Sequence, residues 1–180
     1  YGSQNPGQRD YPFCLHARYE TQRAILGDVV AALHLQGIRK LIIVNGHGGN
    51  SFKNMIRDLS VDFPDFLIAI TNWYGIVPQE GYFENKDDHA GELETSVMMY
   101  YHPELVNLEE AGEGTSKPFA LSSLNAQIAW LPRYWSKVSA DTGIGDPRKS
   151  TPEKGERYAK AVIEKLALLF TEIGSKEVYL

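Results

Sequence analysis

Apolar positions along the chain follow two different rhythms. Between residues 20 and 36, Ala24, Ile25, Val29, Ala32 and Leu33 recur at helical spacing and leave Arg23 and Asp28 outside, which predicts an amphipathic helix. Gly37 is placed to end it, because glycine takes the left-handed cap conformation without steric cost. The rhythm then changes: residues 38–44 carry the β-branched run Leu41-Ile-Ile-Val44. A run without alternation predicts a strand buried on both faces, as in a parallel sheet flanked by helices. Phe52, Met55, Ile56 and Leu59 predict a helix over residues 51–60, and residues 66–71 a second buried strand. A third helix is expected from Gly91 to the neighbourhood of Tyr101, before Pro103. From Thr151 the helical rhythm returns, with Thr151 suited to the N-cap and Pro152 to the first helical position. Ala159, Val162, Ile163, Leu166, Ala167, Phe170 and Ile173 continue it. Residues 107–150, rich in Ser, Gly and Pro, predict little regular structure and carry an aromatic patch at Trp130, Tyr134 and Trp135. Helix, strand, glycine loop, helix, strand is the order of an α/β fold with a mainly parallel sheet, whose sites form at the carboxyl ends of the strands. Without repeats or low-complexity linkers, residues 1–180 read as a single domain.

Charge and cysteine content narrow the partners. The net charge is -5 and the basic residues are scattered, which argues against a nucleic acid, since phosphate binding needs clustered Lys and Arg. No apolar run reaches the roughly 20 residues that cross a bilayer. One cysteine cannot close an internal disulfide, so a cytoplasmic setting is expected; Cys14, between Phe13 and Leu15, reads as a small core residue. The chain opens at Tyr1 inside a loop-like stretch reaching Asp10, from which a preceding segment is expected.

Two motifs carry candidate chemistry. In Asn45-Gly-His-Gly-Gly-Asn50 three glycines let the backbone turn tightly around His47 and bring a ligand close to the imidazole. The following helix aims its amides toward the same place. The loop reads either as a metal-binding or catalytic histidine at a strand end, or as a surface turn in which His47 caps the helix. It lacks the Lys-Ser/Thr pair of a phosphate-binding loop and the spaced glycines of a dinucleotide fingerprint. In Asp87-Asp-His-Ala-Gly-Glu-Leu-Glu-Thr-Ser96, His89 precedes a helix whose first turn holds Glu92 and Glu94. The helix dipole alone would favour those carboxylates. Imidazole and carboxylate five positions apart can also face one pocket, as a zinc- or manganese-type site requires. His16, His34 and His102 lack such surroundings, and Ser96 has no nucleophile-elbow pattern.

Together the two motifs resemble the creatininase family. Gly143-Ile-Gly-Asp-Pro147 and Thr151-Pro-Glu-Lys-Gly155 resemble its last loop and closing helix, so the likeness runs along nearly the whole chain. The resemblance implies a three-layer αβα domain, homo-oligomers that are commonly hexamers, and two divalent metal ions of the Zn, Mn or Fe class. It implies hydrolysis of a carbon–nitrogen bond in a small or cyclic amide by a metal-activated water. His47 matches the metal-binding histidine, Glu94 a metal-binding carboxylate, and His89 the histidine that contacts substrate or shuttles a proton. Asn45, Gly48, Gly49 and Glu92 are expected beside the substrate, with Glu92 a second candidate for metal. His47 and Glu94 are expected to converge on one pocket. Two departures matter. Creatininase itself carries a tyrosine and a metal-binding glutamate after the loop histidine, where this chain has Gly48 and Gly49. It also covers its substrate with a tryptophan four residues before the second histidine, where this chain has Asn85. Creatinine is therefore expected to be a poor substrate, with Trp130, Tyr134 and Trp135 available to compensate. The family draws a Glu-x-His pair and an aspartate from a segment upstream of the match to Tyr1-Gly2. The rival readings are a non-catalytic module binding an anionic metabolite, and an inactive oligomeric remnant.

Overall fold

The computed structural model describes residues 4–86 and 88–179; Asp87, which opens the second motif, and Tyr1, Gly2 and Ser3 lie outside them. The residues fall into two compact units, one of residues 1–5, 13–76 and 164–180, the other of residues 6–12 and 77–163.

In the first unit, α1 (Tyr19–Leu35) leads to β1 (Lys40–Asn45), α2 (Lys53–Asp62) and β2 (Leu67–Asn72). Gly37 has φ 83° and donates to the His34 carbonyl, while Ile38 donates to Leu33, so the chain reverses directly into β1. β1 and β2 pair in parallel, from Lys40 opposite Leu67 to Asn45 opposite Asn72. Parallel neighbours need a crossover, and α2 supplies it. Val30, Leu59 and Phe66 form the core, with Leu26, Leu33, Leu41, Phe63 and Ile68 packed against it. Each such side chain taken from water contributes about 1.5–3 kcal/mol.

Three expectations change here. The buried face of α1 runs through Gln22, Leu26, Val30 and Leu33, while Ile25 and Val29 are exposed. The two sets lie on adjacent faces one residue apart, which sequence rhythm separates poorly. The strands are half-buried and Val44 is exposed, instead of covered on both faces; among the described residues the sheet has two strands, so each strand is an edge. Cys14 is only partly covered, between fully exposed Phe13 and exposed Leu15.

The second unit packs α3 (Glu92–Tyr101) against the start of α6 (Pro152–Ser175), a helix that begins in this unit and ends in the first. A side chain at Gly155 would strike the backbone of Ser96 and Val97, so glycine sets the closeness of the crossing. Tyr158 is wholly buried, donates to the Val77 carbonyl at 2.9 Å and meets the rings of Tyr82 and Phe83 edge-on. Burial, then the nearby Tyr82, pushes its hydroxyl pKa up to about 12. As expected, Thr151 caps α6, its hydroxyl accepting from the Lys154 amide. Two short helices, α4 (Ser122–Asn125) and α5 (Trp135–Val138), interrupt the loop-rich stretch. No helix among the described residues is long and apolar enough to cross a membrane.

Candidate functional site

The Asn45–Asn50 loop leaves the carboxyl end of β1, and one buried side chain organises it. Asn45 donates through Nδ2 to the His47 carbonyl at 2.8 Å and to Asn72 Oδ1 at 2.9 Å. Its Oδ1 accepts from the His47 amide at 3.3 Å and from Asn50 Nδ2 at 3.0 Å. The Asn45 amide is thus spent on shaping the loop, and its partner Asn72 is its register mate on β2. The Asn50 amide closes the turn on the His47 carbonyl. An added Cβ at Gly49 would stand 2.9 Å from the Gln4 carbonyl and 2.5 Å from His47 Nε2. Gly49 therefore lets the loop, the Gln4 backbone and the imidazole share one space. Gly48 is looser, 3.8 Å from the Tyr74 hydroxyl on the same measure.

His47 is held by Asn5, whose Oδ1 lies 2.7 Å from Nε2; the Asn5 amide in turn donates to His16 Nδ1 at 3.0 Å. With Asn5 Oδ1 accepting, Nε2 carries the proton. Asn5, Asn72 and Tyr74 were not singled out in the sequence, and His16 was set aside for want of glycine-rich surroundings. Two asparagines ending two strand-like runs were the available signal.

In the second unit His89 is fixed by backbone before side chain. Its amide donates to Ile144 O at 2.9 Å and its carbonyl accepts from the Ile144 amide at 2.8 Å. Asp88 also donates to Ile144, and Gly145 donates to Gly114. The Gly143–Pro147 stretch is thus a backing strip for the histidine. Ala90 then takes a left-handed φ of 51°, a conformation that L residues with a side chain rarely adopt. Its amide donates to Glu94 Oε2 at 2.7 Å, and His89 Nδ1 stands 3.8 Å from the same oxygen. Imidazole and carboxylate are each about one-third exposed (36% and 35%), so both reach solvent while remaining neighbours.

Glu92 is different. It is fully buried, accepts from the amides of Glu84 at 3.0 Å and Asn85 at 2.7 Å, and pairs with Lys154 Nζ at 2.5 Å. Lys154 also meets Glu84 Oε1 at 3.1 Å and the Lys149 carbonyl at 2.8 Å. Its pKa is raised by the Glu92 hydrogen bond first, while hydrogen bonds from Lys149 and Lys154 hold the Glu84 carboxyl down. As described, Glu92 ties the loop at Glu84 and Asn85 to the start of α6.

His47 belongs to the first unit, and His89, Glu92 and Glu94 to the second. Among the described residues no three His, Cys, Asp or Glu side chains are grouped as a metal ion would need. His47 and Glu94 have the donor chemistry of zinc-type ligands, but the described residues do not by themselves fit a two-ion cage.

A family model described as creatininase, creatinine amidohydrolase, matches residues 1–170. A mycofactocin precursor peptide peptidase of Mycobacterium ulcerans (strain Agy99) is 30% identical over 129 residues, 69% of this chain and 45% of that protein. The chain thus spans less than half the length of that relative. A creatinine amidohydrolase of Pseudomonas putida is 22% identical over 156 residues, covering 78% of this chain and 58% of its own length. Among solved structures, a Bacteroides fragilis NCTC 9343 protein, whose creatinine amidohydrolase assignment is itself provisional, superposes with a TM-score of 0.95. It is 62% identical and covers 99% of this chain and 71% of its own. A mutant creatininase of Zn–Zn type superposes at 0.75 with 21% identity, covering 94% of this chain and 71% of its own, which shows a shared fold.

Proposed function

The chain belongs to the creatininase family and has its α/β fold, and from that premise we propose that the protein hydrolyses a carbon–nitrogen bond in a small or cyclic amide. The observation that carries this reading is the solvent-reaching pair of His89 and Glu94, 3.8 Å apart at the start of α3. An imidazole held beside a carboxylate can pass a proton to a leaving nitrogen, which general acid catalysis of amide cleavage needs.

The reading includes two divalent ions, in line with relatives named as Zn–Zn and Mn forms. Bound there, such ions would supply an activated water and an electrophile for the carbonyl oxygen. On this chain His47 and Glu94 would be ligands. The others would come from parts of the family fold beyond the share that this chain has in common with its relatives. For His47, Nε2 as ligand requires that Asn5 let go, whereas Nδ1 as ligand leaves Asn5 holding the ring. Asn45 and Gly49 shape the loop around the imidazole, Gly48 leaves room for substrate, and Glu92 keeps Asn85 in place at the substrate side. Self-association into a ring of copies and a cytoplasmic setting belong to the same proposal.

The test is metal analysis of the full-length protein, with steady-state assays on creatinine, formamides, lactams and short peptides. About two equivalents of divalent metal and turnover of a formamide or lactam above creatinine are expected. Gly48, Gly49 and Asn85 replace metal-binding and ring-covering side chains of creatininase, and losing a ring contact costs about 1–3 kcal/mol in selectivity. Protein free of metal and inert on the whole panel would sink the proposal in favour of a binding module. Creatinine as the best substrate would sink the specificity.

A further inference from the structure

Across 45 residues of sequence, two neighbouring side chains of the second motif meet two side chains of the loop-rich stretch. The His89 ring lies 4.9 Å from that of Trp135 at an interplanar angle of 65°. The Arg133 guanidinium sits 4.8 Å from the Trp135 ring and forms an ion pair with Asp88. Trp135 is therefore held from two directions, by an imidazole and a cation, each a favourable partner for an indole. With its backbone bridged to Ile144, His89 keeps its two side-chain torsions, and contact with the Trp135 ring restricts both.

We propose that Trp135 is a positioning residue, which sets the His89 imidazole toward Glu94 and so aligns its proton with the bond to be broken. The role rests on the hydrolase reading, while the contact itself stands apart from it. A tryptophan far along the chain, anchored by Arg133, thus takes up aromatic duty beside the second histidine, where position 85 offers only asparagine. Because Trp135 acts through ring orientation, its loss should reach kcat and leave KM nearly alone.

The experiment compares full-length wild type with Trp135→Ala, Trp135→Phe and Arg133→Met. Two readouts are taken: the His89 ring-proton resonances, and kcat and KM on the best-cleaved formamide or lactam. Expected are a His89 ring-current shift that vanishes in Trp135→Ala, and a kcat loss of about 10- to 100-fold, the size of a small misplacement of a reacting group. KM should change little, Trp135→Phe should restore most of both, and Arg133→Met should fall between. Should Trp135→Ala not fold, the Phe and Met variants carry the same comparison. His89 resonances unmoved by loss of the indole, or moved with kcat unchanged, would overturn the proposal. If wild type cleaves nothing on the panel, the hydrolase reading falls, and the His89 resonances alone decide whether Trp135 sets the ring.

Discussion

The two histidine motifs are held in opposite ways. Around His47 the fastening is neutral: Asn45, Asn50 and Asn72 exchange amide hydrogen bonds, Asn5 holds the imidazole, and Gly49 leaves room for them. Around His89 it is charged and aromatic, with Arg133 on Asp88, Trp135 on the imidazole and the buried Glu92 carboxylate paired with Lys154 at the base of α3. A neutral amide that loses one partner costs about 1–3 kcal/mol when it is left buried. A buried carboxylate stripped of its cation cannot be rescued so cheaply. One histidine thus sits in a tolerant frame and the other in a brittle one.

The sharpest way to break this contrast is His47→Ala in the full-length protein. Because Asn45 uses the His47 backbone and not its ring, the fold should survive with unchanged circular dichroism. Turnover should fall by more than the roughly 10- to 100-fold typical of changes around a metal ligand; retained turnover with full metal content would remove His47 from the site. On stability the order reverses. Lys154→Ala should cost about 3–5 kcal/mol in urea unfolding, because it strands the fully buried Glu92 carboxylate without its cation. Gly49→Ala should cost less, about 1–3 kcal/mol of overpacking against Gln4 and His47. A larger loss at Gly49 than at Lys154 would invert the comparison. At neutral pH the smallest effect belongs to Tyr158. Its folded pKa of about 12 lies above the ordinary 10.0, so the buried neutral hydroxyl adds stability that is complete below pH 10. That stability is lost as pH climbs from 10 through 12, and unfolding measured along that range should show it vanish in Tyr158→Phe.

Those differences also explain how much of the fold was legible in the sequence. The alternation of α1, β1, α2 and β2, the Gly37 turn and the Thr151 cap follow from local spacing, and each lies within a residue or two of its expected place. Asn45 and Glu92 were singled out as substrate neighbours, and their partners show additional framing work that depends on Asn72 and Lys154, far off in sequence. Which face of α1 is buried was misread because Ile25 and Leu26 are equally apolar, and only packing against Leu59 and Phe66 separates them. Trp135 stood out as an aromatic in a stretch without rhythm, but nothing local pointed it at His89.

The backbone bond from Lys117 to Val138, with that from Gly145 to Gly114, pinches residues 118–137 into an excursion closed at its neck. Closing such an excursion grows costlier only slowly, by about 0.6 kcal/mol for each doubling of length. Insertions between Phe119 and Leu131 can therefore accumulate at little thermodynamic expense, provided Arg133 and Trp135 stay at the returning end. This makes the excursion a place where length and sequence can drift over generations while its closed neck stands still.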